Sequence, residues 1–153
     1  MMESRVEDHL KLKGEVRVIV RDAKTNEIIE EQKVNNLIVN VGKYQICDLL
    51  IGANTNSFTH CGVGSSNQTP QINDTDLVNP IGARKLYTDR FRTNNIATFS
   101  FFFASTDNNG IWRECGLFNA PTGGVMLARA LFTSEIVKDS SKTCTIEWDI
   151  QVG

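Results

Sequence analysis

Residues 143–152 read TCTIEWDIQV, and their alternation decides the fold. Cys144, Ile146, Trp148, Ile150 and Val152 fall on one side of an extended chain, and Thr143, Thr145, Glu147, Asp149 and Gln151 on the other. Successive side chains of a strand point to opposite faces, so this segment is a strand with one face in a core. A helix would scatter the same residues around its axis.

Working outward, the same period of two recurs. Val16, Val18 and Val20 alternate with Arg17, Ile19 and Arg21, and a second strand begins at Ile28-Ile29. Asp22-Ala-Lys-Thr-Asn26 between them is turn chemistry, because Asp and Asn bond their own backbone and tolerate tight bends. Residues 15–34 therefore read as a hairpin, and Leu37, Ile38 and Val39 continue in extended form. Further strands are predicted at 83–92, 96–104, 111–118 and 124–132. Asp107-Asn-Asn-Gly110 and Pro121-Thr-Gly-Gly124 punctuate them as turns. Many short strands at such intervals predict a mainly β protein, an antiparallel β-sandwich of jelly-roll-like character. One segment changes period. In VGKYQICDLLIG, residues 41–52, Ile46, Cys47, Leu50 and Ile51 share a helical face and Gly52 stands where a helix stops. The expectation is one short α-helix over 41–51, capping an end of the core. The domain reading is an N-terminal arm at 1–13 followed by a single sandwich domain at 14–153.

Bulk properties narrow the function classes. A chain of 153 residues with 41% hydrophobic content can bury one real core. A formal charge of −2 argues against nucleic acid as partner, since phosphate binding needs a basic surplus. No stretch approaches the length of apolar chain that spans a membrane. The opening MMESRVEDHLKLKGE has no apolar core and does not read as a secretory signal, so synthesis and retention in a cytoplasm are expected unless the protein leaves inside a larger particle. Cys47, Cys61, Cys115 and Cys144 are widely spaced without a CxxC pair and read as small buried hydrophobes, not as a disulfide framework.

The stretch HCGVGSSNQTPQINDTDL, residues 60–77, raises the question of a phosphate loop. A Walker-type loop needs a further glycine and a Lys before Ser or Thr, and a dinucleotide fingerprint needs a helix directly afterwards. Gly62-Val-Gly64-Ser-Ser-Asn67 offers neither, so the stretch reads as a rim connection between strands. His60 and Cys61 are adjacent and would point to opposite faces, which disfavours a nucleophile–base pair. Asp74 and Asp76 with His60 and Cys61 mix hard and soft donors without metal-site spacing. No catalytic residue, cofactor or metal is therefore assigned, and the chain is read as a non-enzyme. Glu114, inside Trp112-Arg-Glu-Cys115, reads as a strand carboxylate paired with Arg129 or Arg84, because buried carboxylates persist mainly in pairs.

Taken in order, NNLIVNVGKYQICDLLIG, CGVGSSNQTPQINDTDL, WRECGLFNAPTGGVMLARALF and KDSSKTCTIEWDIQV resemble a broad group of tailed-bacteriophage virion structural proteins. That group carries an N-L-hydrophobic-N-x-G entry to a helix, a G-V-G-polar loop ending D-T-x-L, E-x-G-L-F, G-G-x-x-L-A-R-x-x-F and a closing T-hydrophobic-x-W strand. The likeness covers about residues 35–152. Cys115 departs from it where a small or apolar residue is usual, and Asn119 departs where aspartate often follows the phenylalanine. The resemblance implies tail-fibre, collar or baseplate-like components, or capsid decoration (cement) proteins, and it brings no catalytic residues.

The expected function is an accessory structural protein of a bacteriophage virion, made in the host cytoplasm. Its expected partners are its own copies, as a homo-oligomer of trimeric order, and the major capsid protein or a tail or baseplate platform. The short chain without a fibre repeat favours capsid decoration. Val6 and Leu10, four apart on the arm, read either as a docking stripe or as a frayed terminus. In TFSFFFAS, Phe99, Phe101 and Phe103 fill the core while Phe102 points outward, to an interface or under a loop. Arg90 and Arg92 would be polar partners to an acid-rich hairpin (Glu27, Glu30, Glu31) on a neighbouring copy. The alternative from another class is a host-glycan adhesion module using an exposed Trp112.

Overall fold

The computed structural model describes residues 10–153. In chain order the elements are β1 (Leu12–Asp22), β2 (Ile28–Asn35), β3 (Leu37–Ile38), α1 (Asn40–Ile51), β4 (His60–Gly64), β5 (Lys85–Leu86), β6 (Asp89–Thr93), β7 (Ile96–Phe103), β8 (Gly110–Phe118), β9 (Met126–Lys138) and β10 (Lys142–Val152). They form two antiparallel sheets, β2-β1-β10-β7-β6 and β3-β9-β8-β4-β5. The expected sandwich is what forms, and the chain crosses repeatedly from one sheet to the other.

The strand that opened the argument sits at the centre of the first sheet. β10 pairs Trp148 with Val16 on one side and with Phe99 on the other, so the inward residues of three strands lie in rows. Val16, Val18, Val20, Phe101, Phe103, Ile146 and Trp148 meet Cys61, Val63, Trp112, Leu117 and Phe132 of the second sheet in one core. Ring packing fixes its centre, with Phe103 edge-on to Trp112 at 4.8 Å.

Turn chemistry appears where the composition placed it. Asp22 Oδ1 accepts from the amides of Lys24 and Thr25, and Asn26 takes a left-handed φ of 63°. Gly123 and Gly124 are left-handed at φ 60° and 64°, which only glycine tolerates cheaply.

Three expectations are corrected. The arm ends earlier than residue 13, because Leu12 and Lys13 pair with Val152 and Gln151 as the start of β1; Val6 lies outside the described residues. The predicted strand at 83–92 is two strands in different sheets. Between them the Tyr87 amide donates to Thr59 O and the Thr88 amide to Ser100 O, so the chain changes sheets inside the segment. The predicted strand at 124–132 runs on to Lys138, after its register with β8 shifts between Trp112 and Glu114. The Gln32 amide group spans that irregularity, donating to Ser134 O at 2.9 Å and accepting from Ser134 N at 3.2 Å.

The helix ends as expected, with Gly52 left-handed and its amide bonded to Asp48 O. Its buried face is not the expected one. Gly42 and Gln45 are buried, whereas Cys47, Leu50 and Ile51 are exposed. A Cβ at Gly42 would lie 2.5 Å from Leu127 O and 2.6 Å from Leu127 Cα, so α1 rests on β9 backbone to backbone. Gln45 Nε2 donates to Asn54 O and Asn56 O and holds the following loop to the helix. Close contact at Gly42 leaves Ile46 and Leu49 packed against the core and turns Leu50 and Ile51 to solvent.

Candidate functional site

The 60–77 stretch becomes β4 and a long connection folded over the outer face of the second sheet. The backbone from Ser66 on to Asn79 does cradle an anion, and that anion is the protein's own Glu114. Glu114 Oε2 accepts from the Ser66 amide at 3.1 Å and the Asn79 amide at 2.9 Å, while Oε1 accepts from the Val78 amide at 2.9 Å. Arg129 supplies the counter-charge, donating Nε to Glu114 Oε1 at 3.1 Å, and both side chains are fully buried. Of the two partners expected for Glu114, Arg129 is therefore the one that pairs. Arg129 Nη1 also donates to Gln68 O at 2.8 Å and approaches Asp74 Oδ2 at 3.4 Å. A Cβ at Gly64 would lie 2.5 Å from both Asn79 O and Glu114 Oε2, so this glycine serves close packing. Leu77 closes the loop over Phe118, Met126 and Val39 in a second small core.

Arg84 goes elsewhere. Its guanidinium lies 3.5 Å from the centre of the Phe118 ring and donates to Ala120 O and Gly123 O, with Asp76 at 3.5 Å. Burial, and then the nearby Arg84 charge, lower the pKa of His60, whose Nδ1 lies 2.7 Å from Thr59 Oγ1. Burial pushes the Cys61 and Cys115 thiols well above their ordinary range and the Cys144 thiol up to about 12. These three are free, buried thiols, while Cys47 is free and exposed. Among the described residues no group of three or more His, Cys, Asp or Glu side chains converges as metal ligands would.

The residues chosen for contact separate into two places. Leu10 lies at one end of the sandwich in an apolar groove of about 470 Å³ between α1 and the first sheet. Ile46 and Leu50 form its helical wall, and Phe99, Ile150 and Val152 its sheet wall. Leu50 is 81% exposed and Ile51, next in the chain, 78%. Arg90 and Arg92 border an adjoining hollow that shares Phe58, Ala97 and Phe99 with the groove. Arg90 is held there by Ser57 Oγ and Phe58 O and stacks on Tyr87, and Arg92 donates to Asn94 O. Phe102 is remote from both. It sits 43% exposed on the outer face of the first sheet, beside Thr145 and not under a loop.

Of the hairpin acids Glu27, Glu30 and Glu31, Glu31 has a partner within the chain, Arg17 at 2.7 Å. Trp112 is corrected outright. It is fully buried, with Nε1 bonded to Asn108 O at 2.7 Å, because the register break in β8 turns it inward while Glu114 turns outward. No sugar reaches that ring. Leu50, Ile51 and Phe91 are the contact candidates that periodicity concealed, and the signal for the helical pair was Gly42, three residues before Gln45 on the packed face.

The motif residues also meet one another. Asn36 Oδ1 accepts from Trp148 Nε1 at 3.0 Å, Asn40 Nδ2 donates to Asn73 Oδ1 at 2.9 Å, and Asp74 and Glu114 converge on Arg129. No family model, curated protein or solved structure matches the chain.

Proposed function

We propose that this chain is a non-enzymatic accessory structural protein of a tailed-phage virion, self-associating and seated on the capsid surface. The observation that carries the reading is the contrast between polar groups bonded within the chain and an apolar surface patch left uncovered. The loop that could have held a foreign anion is filled by Glu114, and Cys61, Cys115 and Cys144 are buried. At one end, by contrast, Leu10, Leu50, Ile51, Phe91 and Val152 stay exposed to solvent. Monomers seldom present contiguous apolar surface of that kind, and it marks protein contact. The ordered motifs support the phage assignment, and bonds join Asn36 to Trp148, Asn40 to Asn73, and Asp74 and Glu114 to Arg129 within them.

The test is immunogold labelling of purified particles of the phage whose genome encodes the chain. Gold on the capsid shell is the expected result. Gold on the tail would move the protein to the fibre, collar or baseplate class. Gold absent from particles, with the protein remaining at the top of the gradient, would end the virion reading.

A further inference from the structure

The apolar groove has walls but no described occupant. Leu12, Phe99, Ile150 and Val152 line its sheet side and Leu50 its helical side, with Lys43 the single charged residue among them. Leu10, Leu12 and Lys43 also line a neighbouring hollow that adds Lys11 and Lys13, so three ammonium groups stand around the groove's mouth. None of the three joins an ion pair among the described residues. The surface therefore asks for a short segment with apolar side chains and excess acid.

Residues 1–9, MMESRVEDH, have that composition. Met1, Met2 and Val6 are apolar, and Glu3, Glu7 and Asp8 outnumber Arg5 as formal charges. The chain reaches the described region at Leu10, in the groove itself. Nine residues span at most about 30 Å, enough to reach a neighbouring copy. Filling the groove from within the same copy is the harder path. The groove crosses from β1 over β10 to β7, whereas β1 runs along its sheet and its first residue pairs with the last of β10. Residues 7–11, Glu-Asp-His-Leu-Lys, contain neither glycine nor proline, the residues that most readily turn a chain.

We propose that the groove receives residues 1–9 of a second copy, so that copies are joined by exchange of N-terminal segments. This rests on the self-association named above and not on the virion. Exchange of this kind makes interfaces without new folded elements, and each donor carboxylate meets a lysine at the acceptor's rim.

Four variants test it. Deletion of residues 1–9, and Leu50→Glu on the exposed groove wall, should each reduce the light-scattering mass to the 17.1 kDa of one chain with the circular dichroism unchanged. The third uses Cys47, four residues after Lys43 and three before Leu50, exposed on the wall of α1. Val6→Cys should give a disulfide-linked dimer on oxidation, carrying both tags when two tagged forms are mixed, and Cys47→Ser should abolish it. The idea is overturned if the full chain and the deletion share one mass. It is equally overturned if the Val6→Cys cross-link forms only within single chains, or if native mass spectrometry finds a monomer with a lipid in the groove. Each readout is independent of particle labelling, so a protein absent from virions but still exchanging segments removes only the phage reading.

Discussion

Replacing Glu114 by Gln keeps the shape and removes the charge at the point where loop, sheet and Arg129 meet. Each carboxylate oxygen serves two donors: Oε1 takes Arg129 Nε and the Val78 amide, and Oε2 takes the Ser66 and Asn79 amides. Whichever oxygen becomes an NH2 group, two donors lose their acceptor and face another donor. The Arg129 guanidinium, fully buried, then retains only Asp74 at 3.4 Å as a counter-charge. Breaking a buried pair from one side costs about 3–5 kcal/mol, most of it the stranded charge. That is a large part of the roughly 5–15 kcal/mol that holds a domain together. For a chain of this size the melting temperature should fall by about 6–20 °C. Urea unfolding measures the loss, and thermolysin provides a local readout. Cleavage before Ile72, Leu77 or Val78 should accelerate, because the connection loses one or two of its three amide anchors to residue 114. In the double variant Glu114→Gln with Arg129→Met, the guanidinium is gone too, so the total loss should be smaller than the sum of the singles by about 1 kcal/mol or more. A Glu114→Gln protein within about 1 kcal/mol of the parent, with an equally resistant loop, would refute the reasoning.

Two further outcomes follow from the same contacts. Gly42→Ala would ordinarily gain about 0.5–1 kcal/mol in a helix, but here the new methyl meets the Leu127 backbone at 2.5 Å. The overpacking cost of about 1–3 kcal/mol wins, and a thermal melt should show net loss. His60 has its pKa lowered by burial and by Arg84, so on acidification the unfolded chain takes up the proton first. Stability should be full above the ordinary histidine pKa, decline as pH falls from about 7 towards 5, and lose that part of its slope in His60→Gln; an unchanged slope in that variant would place the pH dependence elsewhere.

The strands were legible because burial on one face leaves a period of two that no other structure reproduces. Phe102 illustrates its reach: one residue that breaks the pattern in TFSFFFAS is the one found exposed, at 43%. Glu114 was legible for a different reason, since an acid between Trp112 and Cys115 must be paired, and Arg129 was one of two arginines named for it. What periodicity concealed was decided by backbone proximity. Ile46, Cys47, Leu50 and Ile51 form an apolar stripe on α1, yet Gly42 permits contact with Leu127, and of the four only Ile46 packs on the core while the others face outward. Residues 83–92 read as one strand because nothing in their composition marks Tyr87 and Thr88 as the crossing between sheets. The exposed Trp112 of the alternative glycan reading stayed open in the sequence because the register break beside it lies in pairing with β9, not in its own residues.

The bonds among the motif residues bear on what resemblance can say about this protein. Asn36 with Trp148, Asn40 with Asn73, and Asp74 and Glu114 with Arg129 tie distant segments into one scaffold. A chain carrying that set would build this sandwich whatever it bound, because the set bonds the chain to itself, Glu114 with Arg129 in the interior and Asn40 with Asn73 at the surface. Partner choice must then reside in exposed residues at positions the pattern leaves free, among them Leu50, Ile51 and Phe91. The two kinds of position should separate experimentally. Leu50→Glu, 81% exposed before substitution, should leave unfolding within about 0.5 kcal/mol of the parent while abolishing self-association. Glu114→Gln should do the reverse at temperatures where it stays folded. If Leu50→Glu instead unfolded the chain, the groove wall would be core after all, and both the exchange of segments and the division of labour behind it would fail together.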